Sequence, residues 1–370
     1  MKKQLLFACM ALMAGMAWAN DSSYELIGNQ LVPLKETGIR ITKEILTIDL
    51  REDNSAFVDV QYEFTNPTKE AKTVLMGFEA DPPYEGSYEP TNLANDARHP
   101  FIKDFKVEIN GTKIKYKNAL SKVGKFRPLR PTKNWTSEYG TFFDMKTGEE
   151  IADVAYVYYF TATFQPGVNK VHHTYSYGMG HSTTFIYFLD YKLSPAARWA
   201  NKQIDDFTLI VSAKKTIKHF YIGAECLPGM KPAIASGKGK VRKTANEYQQ
   251  EGYVWEVALR NGSVKFHTKN FRPKHELWLR SGYICDPLGT YNKGGFLCGL
   301  SADHLTEIQL RALHNIPYAA RGHVYKDPEL KDFFESCFWY MPDPNYKDDT
   351  SDFTASDWEY VNFKDEDDKE

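Results

Sequence analysis

What this sequence lacks narrows it first. It has no charge excess: 46 Lys and Arg stand against 48 Asp and Glu over 370 residues, a formal net charge of −2. A chain without a basic surplus has no electrostatic case for nucleic acid as a partner. Beyond the first twenty residues, no apolar run approaches the ~20 residues that a membrane-spanning helix needs. Cysteine is scarce, five in all, and no Cys-x-x-Cys pair offers a zinc site. Nucleophile signatures are missing too: there is no Gly-x-Ser-x-Gly and no His-Glu-x-x-His. Gly178-Met179-Gly180 is not followed by the Gly-Lys-Ser/Thr of a phosphate loop. No internal repeat is visible. Neither a cofactor nor a metal is expected, and no catalytic residue can be named.

What is present begins with an export signal. Lys2 and Lys3 precede an apolar stretch, Leu5 to Met16, and Ala17-Trp18-Ala19 is a small-x-small cleavage site. Residues 1–19 therefore read as a signal peptide cleaved after Ala19, and the expected address is the periplasm or the cell surface. Cys9 lies too close to the lysines for a lipidation box, because no apolar region fits between them. Cleavage leaves four cysteines, Cys226, Cys285, Cys298 and Cys337. An even number in an oxidising compartment suggests disulfides, and four cysteines allow three connectivities. The shortest closure joins Cys285 to Cys298, a loop worth about 3 kcal/mol in the chain-entropy picture. Cys226 and Cys337 then remain as the second pair. The competing reading makes Cys337 a thiol on an apolar helix face.

Aromatic residues are abundant at 14%, with 23 Tyr and 23 Phe, which suits strands and packed surfaces. Ile45 to Leu50 and Phe57 to Phe64 flank turn formers and predict a hairpin. Phe105 to Ile109 and Lys113 to Tyr116 flank Asn110-Gly111, the pair favoured in type I′ turns. The same device predicts a hairpin at Asn261-Gly262, between Val254–Leu259 and Val264–Phe266. Further strands fall at 155–164, 184–189 and 207–211, with one short helical stretch at 194–202. The fold class is mainly β: an antiparallel, sandwich-like body with a small C-terminal helical module. The body divides into a subdomain at 20–150 with long loops and a second at 151–290. From Asp343 to Glu370 there are eleven acidic residues and three lysines, so 346–370 reads as a disordered acidic tail.

The C-terminal module has two helices. Asp303 is a candidate cap for a helix reaching about Asn315, which Pro317 would end. Asp327 caps a second, with Pro328 at its first position and Leu330, Phe333, Phe334 and Cys337 at helical spacing. Gly322 permits the turn between them. With Leu310, Arg311, Asn315, Tyr318, Ala319, Tyr325, Trp339, Tyr340 and Pro342, this layout over 301–345 resembles the YARHG domain, an extracellular module. Ala320 and Arg321 stand where that family carries Arg and His, so a role of that pair transfers to Ala320 not at all and to Arg321 only in part. The resemblance implies an address and no ligand. Asn20-Asp21-Ser22-Ser23, Leu31-Val32-Pro33-Leu34, Ile45 to Ile48 and the later strands resemble an uncharacterised family of exported bacterial domains over about 20–285.

Candidate binding residues in the module are Tyr318, Arg321, His323, Tyr325, Trp339 and Tyr340. Arg321 suits an anion, or an ion pair with Asp327 or Glu329. Tyr84, Tyr88, Trp135 and Tyr139 are loop aromatics suited to a sugar or a protein surface. His172 and His173 face opposite ways on a strand, so only one can join His181 in a metal site, and hydrogen-bonded histidines are the simpler reading. The resulting expectation is a non-enzymatic envelope protein that binds envelope glycan or another envelope protein. The alternative is an envelope hydrolase using loop carboxylates such as Glu85, Glu89 and Asp144. A third is an assembly subunit with an exposed apolar patch.

Overall fold

Period-two alternation builds most of the chain. Along Ser55–Asn66 the side chains of Ala56, Val58, Val60, Tyr62 and Phe64 are buried while their neighbours are not, the signature of a strand with one face on a core. The computed structural model describes residues 27–29, 31–33, 38–80, 91–92, 98–99, 102–122, 126–129, 134–138, 141–180, 185–214, 217–245, 252–281 and 305–363. The strands are β1 (Ile27–Asn29), β2 (Leu31–Pro33), β3 (Arg40–Leu50), β4 (Ser55–Asn66), β5 (Lys72–Ala80), β6 (Thr91–Asn92), β7 (Ile102–Ile109), β8 (Thr112–Lys113), β9 (Lys117–Lys122), β10 (Pro128–Leu129), β11 (Trp135–Glu138), β12 (Thr141–Asp144) and β13 (Glu150–Ile151). They continue with β14 (Val154–Phe164), β15 (Gly167–Gly178), β16 (Phe188–Lys192), β17 (Ile204–Ala213), β18 (Lys218–Gly223), β19 (Ala233–Ala245), β20 (Tyr253–Phe271) and β21 (Leu277–Ser281). Among the described residues three α-helices follow, α1 (Glu307–Arg321), α2 (Pro328–Ser336) and α3 (Ala355–Val361).

A large sheet runs β1-β16-β21-β18-β20-β17-β3-β4-β15-β7-β8, with β19 on the far side of β20. A second sheet runs β10-β9-β14-β5-β2, and a third β13-β12-β11-β6. The first two face each other across an aromatic core. Phe64 meets Phe164 at 5.5 Å and Phe78 meets Tyr175 at 4.9 Å, ring centre to ring centre. The sandwich-like antiparallel body is therefore observed, with two parallel contacts among the described residues, β3 with β17 and the short β1 with β16. The division at residue 150 is not seen in the pairing, since β15 lies between β4 and β7, and β14 between β5 and β9.

The hairpin of β3 and β4 forms as expected. So does the Asn110-Gly111 turn, both residues at positive φ, although β8 is only two residues long. Asn261-Gly262 does not turn the chain. β20 runs straight through it for 19 residues. Asn261 has φ 49°, and opposite it β19 shifts register around Ser236. Gly237 sits there at φ 64°, and a Cβ on it would lie 1.8 Å from the Asn261 carbonyl oxygen. The pair marks a bulge, which has the same appetite for left-handed residues as a turn. β17 and β18 lie end to end along one side of β20 and hold it extended.

α1 begins later than expected, with Thr306 as cap in a reciprocal bond with Gln309; Asp303 lies outside the described residues. Pro317 does not end this helix but lies inside it. An interior proline costs about 3 kcal/mol, and here the burial of Ile316, Ala319 and Ala320 against the module core opposes that cost. Gly322 ends α1 in the left-handed region at φ 100°, and its N–H returns to the Ala319 carbonyl. Asp327 caps α2 with Pro328 at the first position, as expected.

Residues 346–363 of the expected disordered tail are structured, and 364–370 lie outside the described residues. Thr354 and Asp357 cap α3 reciprocally, and Tyr360 is buried in the module core. Its charge alone predicts disorder, but Arg321 neutralises two of its carboxylates and its aromatic residues find apolar partners. Cys226 and Cys337 do not form the expected disulfide; both are thiols. They belong to different apolar clusters, Cys226 to the β core and Cys337 to the module. Cys285 and Cys298 lie outside the described residues.

Candidate functional site

Alternation leaves one side chain in two of each strand facing outward. Where β3, β4 and β15 lie side by side, those outward residues form a groove of about 460 Å³. Its side chains are Lys43, Ile45, Gln61, Glu63, Lys170 and His172. Register sets their order. Lys43 stands opposite Glu63, and Glu63 opposite Lys170. Ile45 stands opposite Gln61, and Gln61 opposite His172. Asp59, one step along, anchors one end: His172 Nε2 donates to it at 3.0 Å and Gln61 Nε2 at 3.3 Å. Tyr62 and Val171 border the groove but are buried and turn inward; the Tyr62 ring lies 5.7 Å from that of His173.

His173 is the inward partner of His172. It is 1% exposed and neither ring nitrogen has a hydrogen-bond partner among the described residues. Burial holds its pKa down to about 3, so the ring is neutral. The two histidines face opposite ways as strand geometry requires, and His181 lies outside the described residues. Among the described residues no group of His, Cys, Asp and Glu is arranged to hold a metal ion.

In the module the expected binding residues are mostly packing residues. Trp339 is fully buried, and Tyr325 stacks on Phe334 at 4.7 Å while its hydroxyl donates to the Asn315 carbonyl. The Tyr340 hydroxyl donates to the His323 carbonyl at 2.6 Å. His323 pairs with Asp348 through Nδ1. Tyr318 meets Phe353 edge-on at 5.0 Å. Arg321 does not pair with Asp327 or Glu329; Arg311 takes both, at 2.7 and 2.6 Å. Arg321 turns to the tail instead. It binds Asp352 at 2.8 Å and Asp357 at 2.9 Å, and it lies 4.2 Å from the Phe353 ring centre. Burial opposes the charge on Asp357, yet hydrogen bonds from Arg321 and Thr354 hold its pKa below the usual carboxylate value.

The chain carries a YARHG domain, at residues 297–365. Residues 19–125 match a domain of unknown function, DUF4424. A search of curated proteins finds no match. Among solved structures, a candidate nutrient binding protein from Legionella pneumophila is 18% identical, with a TM-score of 0.50; the match covers 92% of this chain and 99% of that one. That likeness concerns the fold. Yeast LTA4 hydrolase (6% identity, TM-score 0.26, 66% of this chain and 29% of that one) also matches. So does an M1 zinc metallopeptidase from Deinococcus radiodurans (8%, TM-score 0.23, 66% and 42%). At such scores these two carry no argument.

The YARHG domain is seated on the β body. Ile217 and Ala258 of the body belong to its apolar cluster. Lys240 Nζ donates to the Tyr340 carbonyl at 2.6 Å, and Lys238 pairs with Asp343 at 2.5 Å. Glu256, buried beneath, accepts from His219 at 2.9 Å and from Arg242 at 2.6 Å, and Arg242 lies 4.5 Å from the Phe338 ring centre. Gly322 of the YARHG core meets the body directly: a Cβ there would lie 2.0 Å from Arg260 Nη1. The buried His219–Glu256 pair thus lies beside the module, the His219 ring 6.0 Å from that of Phe338.

Of the loop aromatics, Trp135 is half-buried on β11 and packs against the β core. Tyr84, Tyr88 and Tyr139 lie outside the described residues, as do Glu85 and Glu89. Asp144 accepts from the Lys146 and Thr147 amides and shapes a turn. The groove residues escaped the sequence reading, apart from His172. Their only signal is the outward phase of three alternating strands, and β15 is distant in sequence from the β3–β4 hairpin.

Proposed function

We propose that this chain is an exported, non-catalytic binding protein of the cell envelope whose ligand site is the β3–β4–β15 groove. The observation that carries the reading is the convergence of Lys43, Glu63 and Lys170 in cross-strand register around about 460 Å³ of open space. That volume lies in the range of small-molecule sites. Fixed charges on a rigid sheet face can bind and orient a solute. The leader at 1–19 and the YARHG domain support the envelope address. Among the described residues, no helix is long and apolar enough to cross a membrane.

A broad glycan surface is the weaker choice, because the aromatic residue bordering the groove turns its ring inward. The carboxylate–histidine cluster of Glu256 and His219 lies beneath the YARHG domain and offers no open reaction site. The test has two parts. Fractionation and mass spectrometry should find the chain outside the cytoplasm, beginning at Asn20. Calorimetric titration with charged small solutes should show binding that a Lys43→Ala, Lys170→Ala variant loses, with no turnover of added glycans or peptides. Unprocessed cytosolic chain, or solute cleavage, overturns the proposal.

A further inference from the structure

We infer that the groove selects a small zwitterion of the amino-acid or short-peptide class, its carboxylate seated between Lys43 and Lys170 and its ammonium on Glu63. This rests on the groove being the ligand site. The first support is order. In the row Lys43, Glu63, Lys170, one anion stands between two cations on adjacent strands. The second is that the three are uncommitted: none takes part in an ion pair among the described residues. Elsewhere on the same sheet opposite charges do close up, as Arg40 with Asp205 at 3.4 Å and Lys214 with Asp49 at 3.3 Å. In the groove the charges stay apart and face the open space.

The third support is what the row rejects. A simple anion would meet Glu63, and a simple cation would meet both lysines. A neutral sugar would displace water from three charges and give back no charged partner. A zwitterion answers every charge at once. Gln61 and His172 add specificity beside the row. Both donate to Asp59, which leaves the Gln61 carbonyl oxygen as an acceptor at the groove wall. Asp59 is here a positioning residue. Ile45 adds an apolar edge against which a short side chain can rest.

The test is calorimetric titration of the purified chain at low salt with L-alanyl-L-alanine, its N-acetyl form, its C-terminal amide and a maltooligosaccharide. The free dipeptide should bind, and each capped form should bind at least tenfold more weakly. Glu63→Gln should bring the free and N-acetyl forms to within about twofold of each other. Lys43→Ala with Lys170→Ala should lose both. Equal binding of free and N-acetyl dipeptide to the native chain overturns the ligand class while leaving the groove as a site. Saccharide binding that the double lysine variant abolishes does the same. If no solute binds, or if binding survives the double lysine variant, the groove reading falls as well. Unchanged thermal melting of the variants guards against misfolding as the cause.

Discussion

The Arg321 guanidinium and the Asp357 carboxylate meet at 2.9 Å with side chains 6% and 2% exposed. This pair ties the tail to the YARHG helix α1. Breaking one side of a buried pair leaves a buried charge alone, which costs about 3–5 kcal/mol. Arg321→Ala should therefore release residues 343–363 to protease and lower the melting temperature of the module. Replacing both partners by leucine should cost less than either single change. Asp357 has a lowered pKa when folded. Its contribution is thus present above its unfolded value and lost as pH falls through the folded one. Proteolysis of the tail should accelerate in acid below about pH 4, and Asp357→Asn should remove that dependence.

Gly322 carries two constraints at once, a φ of 100° and the Arg260 guanidinium against its open face. Gly322→Ala should destabilise by the left-handed penalty of about 1–2 kcal/mol plus a clash. In an Arg260→Ala background the Arg260 part of the clash should vanish, while the backbone term and the close approach to Asp343 Cβ, 2.9 Å from the added Cβ, remain. Chemical denaturation of the four combinations reads this directly; equal costs in both backgrounds refute the contact.

His173 gives the β core a pH response. Its folded pKa is depressed to about 3 by burial, while an unfolded histidine titrates near 6.5. The folded state binds fewer protons over that window, so stability is constant above it and falls as pH drops from about 6.5 toward 3. The slope approaches about 1.4 kcal/mol per pH unit. His173→Phe should leave stability at pH 7.5 unchanged or higher, and it should flatten the decline measured by urea unfolding at pH 4.5.

Cys226 should be inert while the protein is folded. Burial pushes its thiol up to about 12, and the thiolate is the reactive species. Iodoacetamide followed by peptide mapping should label Cys226 only after denaturant is added. Rapid native labelling would show that the strands around it open.

How much was legible in the sequence depended on the range of the interaction. The β3–β4 hairpin, the Asn110-Gly111 turn and the Asp327–Pro328 helix start are made by residues close in sequence, and each formed as the chain foretold. The mainly β body and the helical module were legible for the same reason, through periodicity and caps. Asn261-Gly262 asked only for left-handed backbone, which a turn and a bulge both satisfy. Whether β20 bent was decided by β17 and β18 lying along it.

Pro317 shows the same division, since local preference ends a helix there and the packing of Ile316, Ala319 and Ala320 carries it on. The tail's charge favoured solvent until Arg321 came within reach, and Arg321 itself pairs 36 residues away with Asp357. The groove lies furthest from sequence reading. By itself the chain determined only that alternate residues along each of these strands would face the same way, because strand side chains alternate. Only the pairing of β4 with β15, over a separation of about a hundred residues, put Lys43, Glu63 and Lys170 in one row. Burying the opposite faces of those strands in a single core is what fixed that pairing.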